Sequence, residues 1–353
     1  MKNLSILFVI LLFWSCSTED GDKIITIDEF PENLSLKGER IHYDSVPKSP
    51  SEMLLVDSLL IKRNNQISEE FLFYIYNNNN NRFLGSFGTT GRGPNEFISP
   101  SFTGQYVIND KSIGIWMQDL NKKKIELINI TESLKENRLI IDESIDEPQS
   151  YPLILDPLFF NNGDWIGRAM MGEGRFFYYH QSKDSLKWVE YFPEIEHEAP
   201  NQQMKFNYYN GPIGIKPDNS RIVSALLFFK RIDVFSPETE HLFSIVFDDS
   251  PDNPEFDADA GDPNTLMHYY SGMFLTDNYI YVFNRNLSYH KESKVNTPEL
   301  HVFTWEGEPV VCYHLDRRFS SFSVDEENGY IYALTPADTE EITSQVFRYK
   351  LTK

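Results

Sequence analysis

The chain has 353 residues, with 53 acidic against 32 basic side chains and a formal net charge of −21. Such a surface repels phosphate backbones and excludes nucleic acid as a partner, and only two cysteines exclude a disulfide framework. The length suits one repeat architecture with a sizeable core.

The chain opens with Lys2 and an apolar run from Leu4 to Phe13, then Trp14-Ser15-Cys16. The run is too short to span a bilayer and reads as a signal peptide. A small residue directly before the cysteine resembles a bacterial lipoprotein box. That resemblance implies a lipid on Cys16, a signal peptide over residues 1–15, an acidic tether over 16–23 and a folded part over 24–353. It also implies an outer-membrane lipoprotein, held at the cell surface or in the periplasmic leaflet, with the membrane as partner through its lipid. The other cysteine, Cys312, sits in an apolar strand-like run and reads as a buried structural thiol.

Beyond the tether, one pattern recurs: a polar turn, then a short apolar strand. Tyr279-Ile280-Tyr281 and Tyr330-Ile331-Tyr332 are the clearest copies. Taking Leu59, Ile113, Ile166, Ile222, Ile280 and Ile331 as anchors, the spacings are 54, 53, 56, 58 and 51 residues. Six copies at this period predict an all-β, six-bladed β-propeller, each anchor lying on the second strand of a blade. Third strands are expected at 71–76, 124–130, 176–180, 231–235, 300–305 and 346–351. Fourth strands are expected at 82–87, 138–141, 186–192, 242–247 and 310–315. The sixth copy reaches Lys353 without a fourth strand, leaving an edge that must be covered. An N-terminal strand, at 24–27 or 40–43, is expected to close this last blade. The tether would then lie beside the closure.

Between the first two blades stands Gly91-Arg92-Gly93-Pro94-Asn95-Glu96-Phe97. The glycines permit a sharp turn, Asn95 tolerates a left-handed backbone and Phe97 can plug between blades. The stretch resembles the blade-linking pattern of NHL-type propellers, and more closely that of six-bladed, TolB-like propeller lipoproteins of Bacteroidetes. The resemblance implies fold and location more than activity.

Candidate site residues are scattered. Long connections at 193–210, 248–270 and 284–298 fall on the face of a propeller that usually carries binding. They bring His197, Tyr208, His268 and Tyr269 to the channel mouth as ligand contacts, and Arg92 is a further candidate. Asp257, Asp259 and Asp262 partly resemble the start of an EF-hand loop for Ca²⁺, against the plainer reading of a solvated acidic loop with no cofactor. No nucleophile elbow, Walker loop or zinc-protease motif is present in the sequence. The leading expectation is a binding module for a protein, peptide or glycan. The alternative is an envelope lyase or hydrolase with its site at the channel mouth.

Overall fold

The computed structural model describes residues 23–44, 50–64, 70–109, 112–148, 153–170, 172–196, 198–255, 266–288, 298–336 and 344–351. Cys16 and the signal segment lie outside them. Apart from a short parallel pair at Thr89–Thr90 and Glu96–Phe97, the described strands form six sheets of four or five strands, each with an antiparallel four-stranded body, arranged as the blades of a propeller. Blade one runs Pro50–Val56, Leu59–Asn64, Phe73–Asn77 and Arg82–Phe87. Blade two runs Pro100–Asn109, Ser112–Asp119, Lys124–Asn129 and Ile141–Asp146, and blade three Ile154–Phe159, Trp165–Ala169, Phe176–His180 and Ser185–Val189. Blade four has Ile213–Ile215, Ile222–Ala225, Arg231–Phe235 and His241–Phe247. Blade five has Met267–Leu275, Tyr279–Ser288, Glu299–Thr304 and Pro309–Leu315. Blade six is Ser321–Asp325, Tyr330–Leu334 and Val346–Lys350, completed by Glu39–Ile41.

All six anchors lie on second strands, as the repeat predicts. The reason the pattern is apolar on both sides is that each blade packs against two neighbours. Six hydrophobic clusters result, each shared by two adjacent blades. Leu60 and Ile61 show this on blade one: consecutive residues point to opposite faces, yet both are fully buried. One serves the core with blade six and the other the core with blade two.

The N-terminus departs from expectation in an informative way. Arg40 and Ile41 do close blade six, antiparallel to Val346–Lys350. Ile24–Ile27 does not. It adds a fifth, parallel strand to the outer edge of blade four, and Asn33–Leu36 does the same for blade five. The first described residues thus sit two blades away from the closure, not beside it. Phe30, between the two belt strands, packs on Phe247 and Phe303 and is buried.

A second correction concerns blade two, whose fourth strand is Ile141–Asp146, later than expected. A seven-residue helix, Ile130–Glu136, precedes it. Asn129 caps the helix, its Oδ1 accepting from the Glu132 N–H at 2.9 Å, and Asn137 ends it in a left-handed conformation.

Candidate functional site

The first strands of the blades line the central channel, which encloses a cavity of about 1140 Å³. Its walls are partly aromatic. Trp116 stacks on Phe159 with ring centroids 4.2 Å apart, and Phe102, Phe274 and Phe322 contribute further faces. Tyr106 is an exposed aromatic on the same wall.

One end of the channel is more polar, because first and second strands of blades three and five, with Asn210 just ahead of blade four, bring polar side chains together there. Arg168 donates from Nε to Asp156 Oδ2 at 2.8 Å and from its terminal nitrogens to Asp156 and Asn210. Asp156 takes a left-handed backbone (φ 51°) at a bulge in its strand, which turns the carboxylate toward Arg168. Arg285 donates from Nε to Ser271 Oγ at 2.7 Å. Glu52 carries the opposite charge but is committed to the frame. Its Oε2 accepts from Arg63 Nε at 2.7 Å and from the Phe102 N–H at 2.9 Å, tying blade one to blade two.

His268 lines this end of the cavity. Burial lowers its pKa to about 4, and the charge of Arg285 pushes the same way. The imidazole is therefore neutral at pH 7. Its Nδ1 is buried without a hydrogen-bond partner among the described residues. It is the one histidine among the described lining residues. The end offers guanidinium donors, amide groups, a neutral imidazole and aromatic faces.

The other expected contacts fall elsewhere. Tyr269 is buried beside the channel wall and donates to Glu255 Oε2 at 2.9 Å, because bulges on both sides of Tyr270 break the strand's alternation. Tyr208 is half-buried on a helix, Gln202–Tyr208, and packs on a satellite cluster around Tyr209, Phe228 and Phe229 under the long connections. Arg92 is exposed on the outer rim near Asn121 and Lys124, away from the channel. His197, Asp257, Asp259 and Asp262 lie outside the described residues. Sequence reasoning missed Arg168, Asp156, Asn210 and Arg285, whose charges and amides sit at the ends of otherwise ordinary strands and connections.

The glycine-rich joint is structural. Glu96 Oε2 accepts from the Gly93 N–H at 2.6 Å, and a Cβ on Gly91 would meet that oxygen at 2.1 Å. Asn95 is left-handed at φ 60°. Phe97 is buried among Phe73, Ile115 and Ile128, filling the seam between blades one and two.

Residues 29–327 match the family model described as TolB-like 6-blade propeller-like. The fold is similar to the crystal structure of a Bacteroides fragilis protein assigned as exported, at 13% identity and a TM-score of 0.54, covering 94% of this chain and 99% of that one. It is also similar to the WD40 repeats of RRP9, at 9% identity and a TM-score of 0.50, covering 92% and 99%. No curated protein sequence matches the chain.

Proposed function

Since the chain belongs to the TolB-like 6-blade propeller-like family, we propose that it is a binding module, tethered to the cell envelope by a lipid on Cys16, that takes a glycan or peptide into its channel. The observation that carries this reading is the composition of the channel end. Aromatic faces on the channel walls lead there to Arg168, Arg285, Asn210 and a neutral His268. A concave site of this kind holds a polar ligand by stacking and a few placed donors. The envelope location rests on the N-terminal lipoprotein pattern, and among the described residues no helix is long and apolar enough to cross a membrane.

The test is binding of the purified protein to glycan and peptide arrays, followed by calorimetry on the hits. Arg285→Ala and Phe159→Ala each weaken binding by about 1–3 kcal/mol if the ligand occupies the channel. Binding that neither substitution alters, or turnover of the captured ligand, would sink the reading. The anchor is tested separately: Cys16→Ala abolishes incorporation of labelled fatty acid in cells.

A further inference from the structure

Blade five carries a group of ligand-type side chains that the channel does not use. Its third and fourth strands pair Glu299 with His314 and His301 with Cys312, so all four side chains share one face. Glu299, Cys312 and His314 each offer one donor atom, and the three atoms lie within 4.8 Å of one another. Cys312 Sγ is 3.7 Å from His314 Nε2, and Glu299 Oε1 is 3.7 Å from the other ring nitrogen, Nδ1, so a shared ion keeps one of these contacts and draws in the remaining ligand from within 4.8 Å. Among the described residues no other such group is this close.

Blade four shows the same position in a purely structural form. There Asp233 and Ser244 form the pair that His301 and Cys312 form in blade five. Arg175 crosses from blade three to neutralise the acid. Among the described residues no lysine or arginine does this for blade five. Among the described residues the ion-pair partners of Glu299 are His301 and His314 alone. Phe30 of the belt and Phe247 pack against His301 instead, with centroids 4.7 and 5.4 Å away. A half-buried carboxylate therefore faces a thiol and an imidazole, with no lysine or arginine paired to it among the described residues.

The surroundings orient these groups. Glu299 Oε2 accepts from Asn284 Nδ2 at 2.9 Å and lies 3.1 Å from His301 Nε2, while His301 Nδ1 lies 3.2 Å from the Tyr270 hydroxyl. That leaves Glu299 Oε1 turned toward His314. The Asn284 side chain is itself buried, and its Oδ1 has no partner among the described residues.

We propose that Glu299, Cys312 and His314 form a three-ligand site for a divalent cation of the zinc class, with His301, Asn284 and Tyr270 holding Glu299 in place. Zinc takes carboxylate, thiolate and imidazole at roughly 2.0–2.3 Å, which sets tetrahedral ligand atoms roughly 3.5 Å apart. The Cys312–His314 separation is already close to that value. Coordination replaces the Cys312 S–H proton with the metal and releases that proton to solvent. The side chains of Glu299 and His314 keep 29% and 30% of their exposure, so the fourth position opens to water or an added ligand.

The test uses the full-length chain purified in detergent and stripped with a chelator. Zinc is titrated by calorimetry and cobalt by absorbance. One ion binds per chain, and cobalt develops a thiolate-to-metal charge-transfer band that Cys312→Ser removes. Glu299→Gln and His314→Gln weaken zinc binding by roughly 100-fold, whereas His268→Gln in the channel changes it less than about threefold. Wild-type protein that binds no zinc, or that binds cobalt without the thiolate band, overturns the proposal whether or not any variant folds. Zinc affinity unchanged by Glu299→Gln overturns it too.

Discussion

Replacing Asp233 with asparagine isolates the electrostatics of the seam between blades three and four. The Asp233 side chain is fully buried, and so, within 1%, is that of its partner Arg175. Arg231 Nε reaches the same carboxylate at 2.7 Å, and Ser244 Oγ donates to it at 2.6 Å. Burial alone would raise its pKa, but the two guanidinium groups and the hydroxyl outweigh it and hold the carboxyl below its usual value. Asparagine keeps the shape and removes the charge, leaving two guanidinium groups against one neutral amide. Breaking a buried pair by removing one partner costs about 3–5 kcal/mol. At roughly 2–4 °C per kcal/mol for a large domain, Asp233→Asn lowers the melting temperature by roughly 6–20 °C. Thermal unfolding followed by circular dichroism measures this. Arg175→Leu added to Asp233→Asn restores part of the loss, since it removes one stranded charge. The sign with pH follows: a depressed folded pKa gives stability that is present above the unfolded value of about 3.9 and lost as pH falls through the folded one. Wild type therefore shows an acid-induced loss that Asp233→Asn lacks. A melting temperature within about 2 °C of wild type, less than one kcal/mol would produce, refutes this account.

Lys62 is 1% exposed, its ammonium 3.9 Å from the centroid of the Tyr43 ring and 4.5 Å from that of Tyr76, and burial lowers its pKa to about 7. The unfolded chain keeps that proton to about pH 10.4. Stability therefore rises with pH between 7 and 10, and Lys62→Met flattens the rise in urea titrations. Phe30→Ala, although near the chain start, destabilises by about 3–5 kcal/mol in the same assay, as an interior aromatic would. Phe97→Ala costs a similar amount, about 3–5 kcal/mol, by emptying the seam between blades one and two.

The propeller was legible because its repeat is a physical one. A blade buried on both faces needs apolar second and third strands, and polar turns mark their ends, as around Ile280 and Ile331. The belt was less legible. Ile24–Ile27 and Asn33–Leu36 are four residues each and largely exposed on one side, so they carry little apolar signal, and their pairing is set by partners more than 200 residues away. The shift of the fourth strand in blade two had a local signal in Asn129 and Glu132, the spacing of a helix start. The channel end was the hardest to foresee. Arg168 and Arg285 read as the wetter face of a strand, the backbone of Asp156 is invisible in composition, and bulges send His268 and its neighbour Tyr269 to different environments. Cys312 was rightly read as buried, but its meeting with Glu299 and His314 depends on strand register.

The outer belt also determines how this molecule responds to being pulled. Any load arriving from residues before Lys23 enters the fold through Ile24–Ile27, which lies parallel to its partner strand at the rim of blade four. Tension there peels a peripheral strand, next reaches Phe30 and the rim of blade five, and only then the segment that seals the ring. The wheel can thus yield in steps at its circumference while its hub keeps its shape.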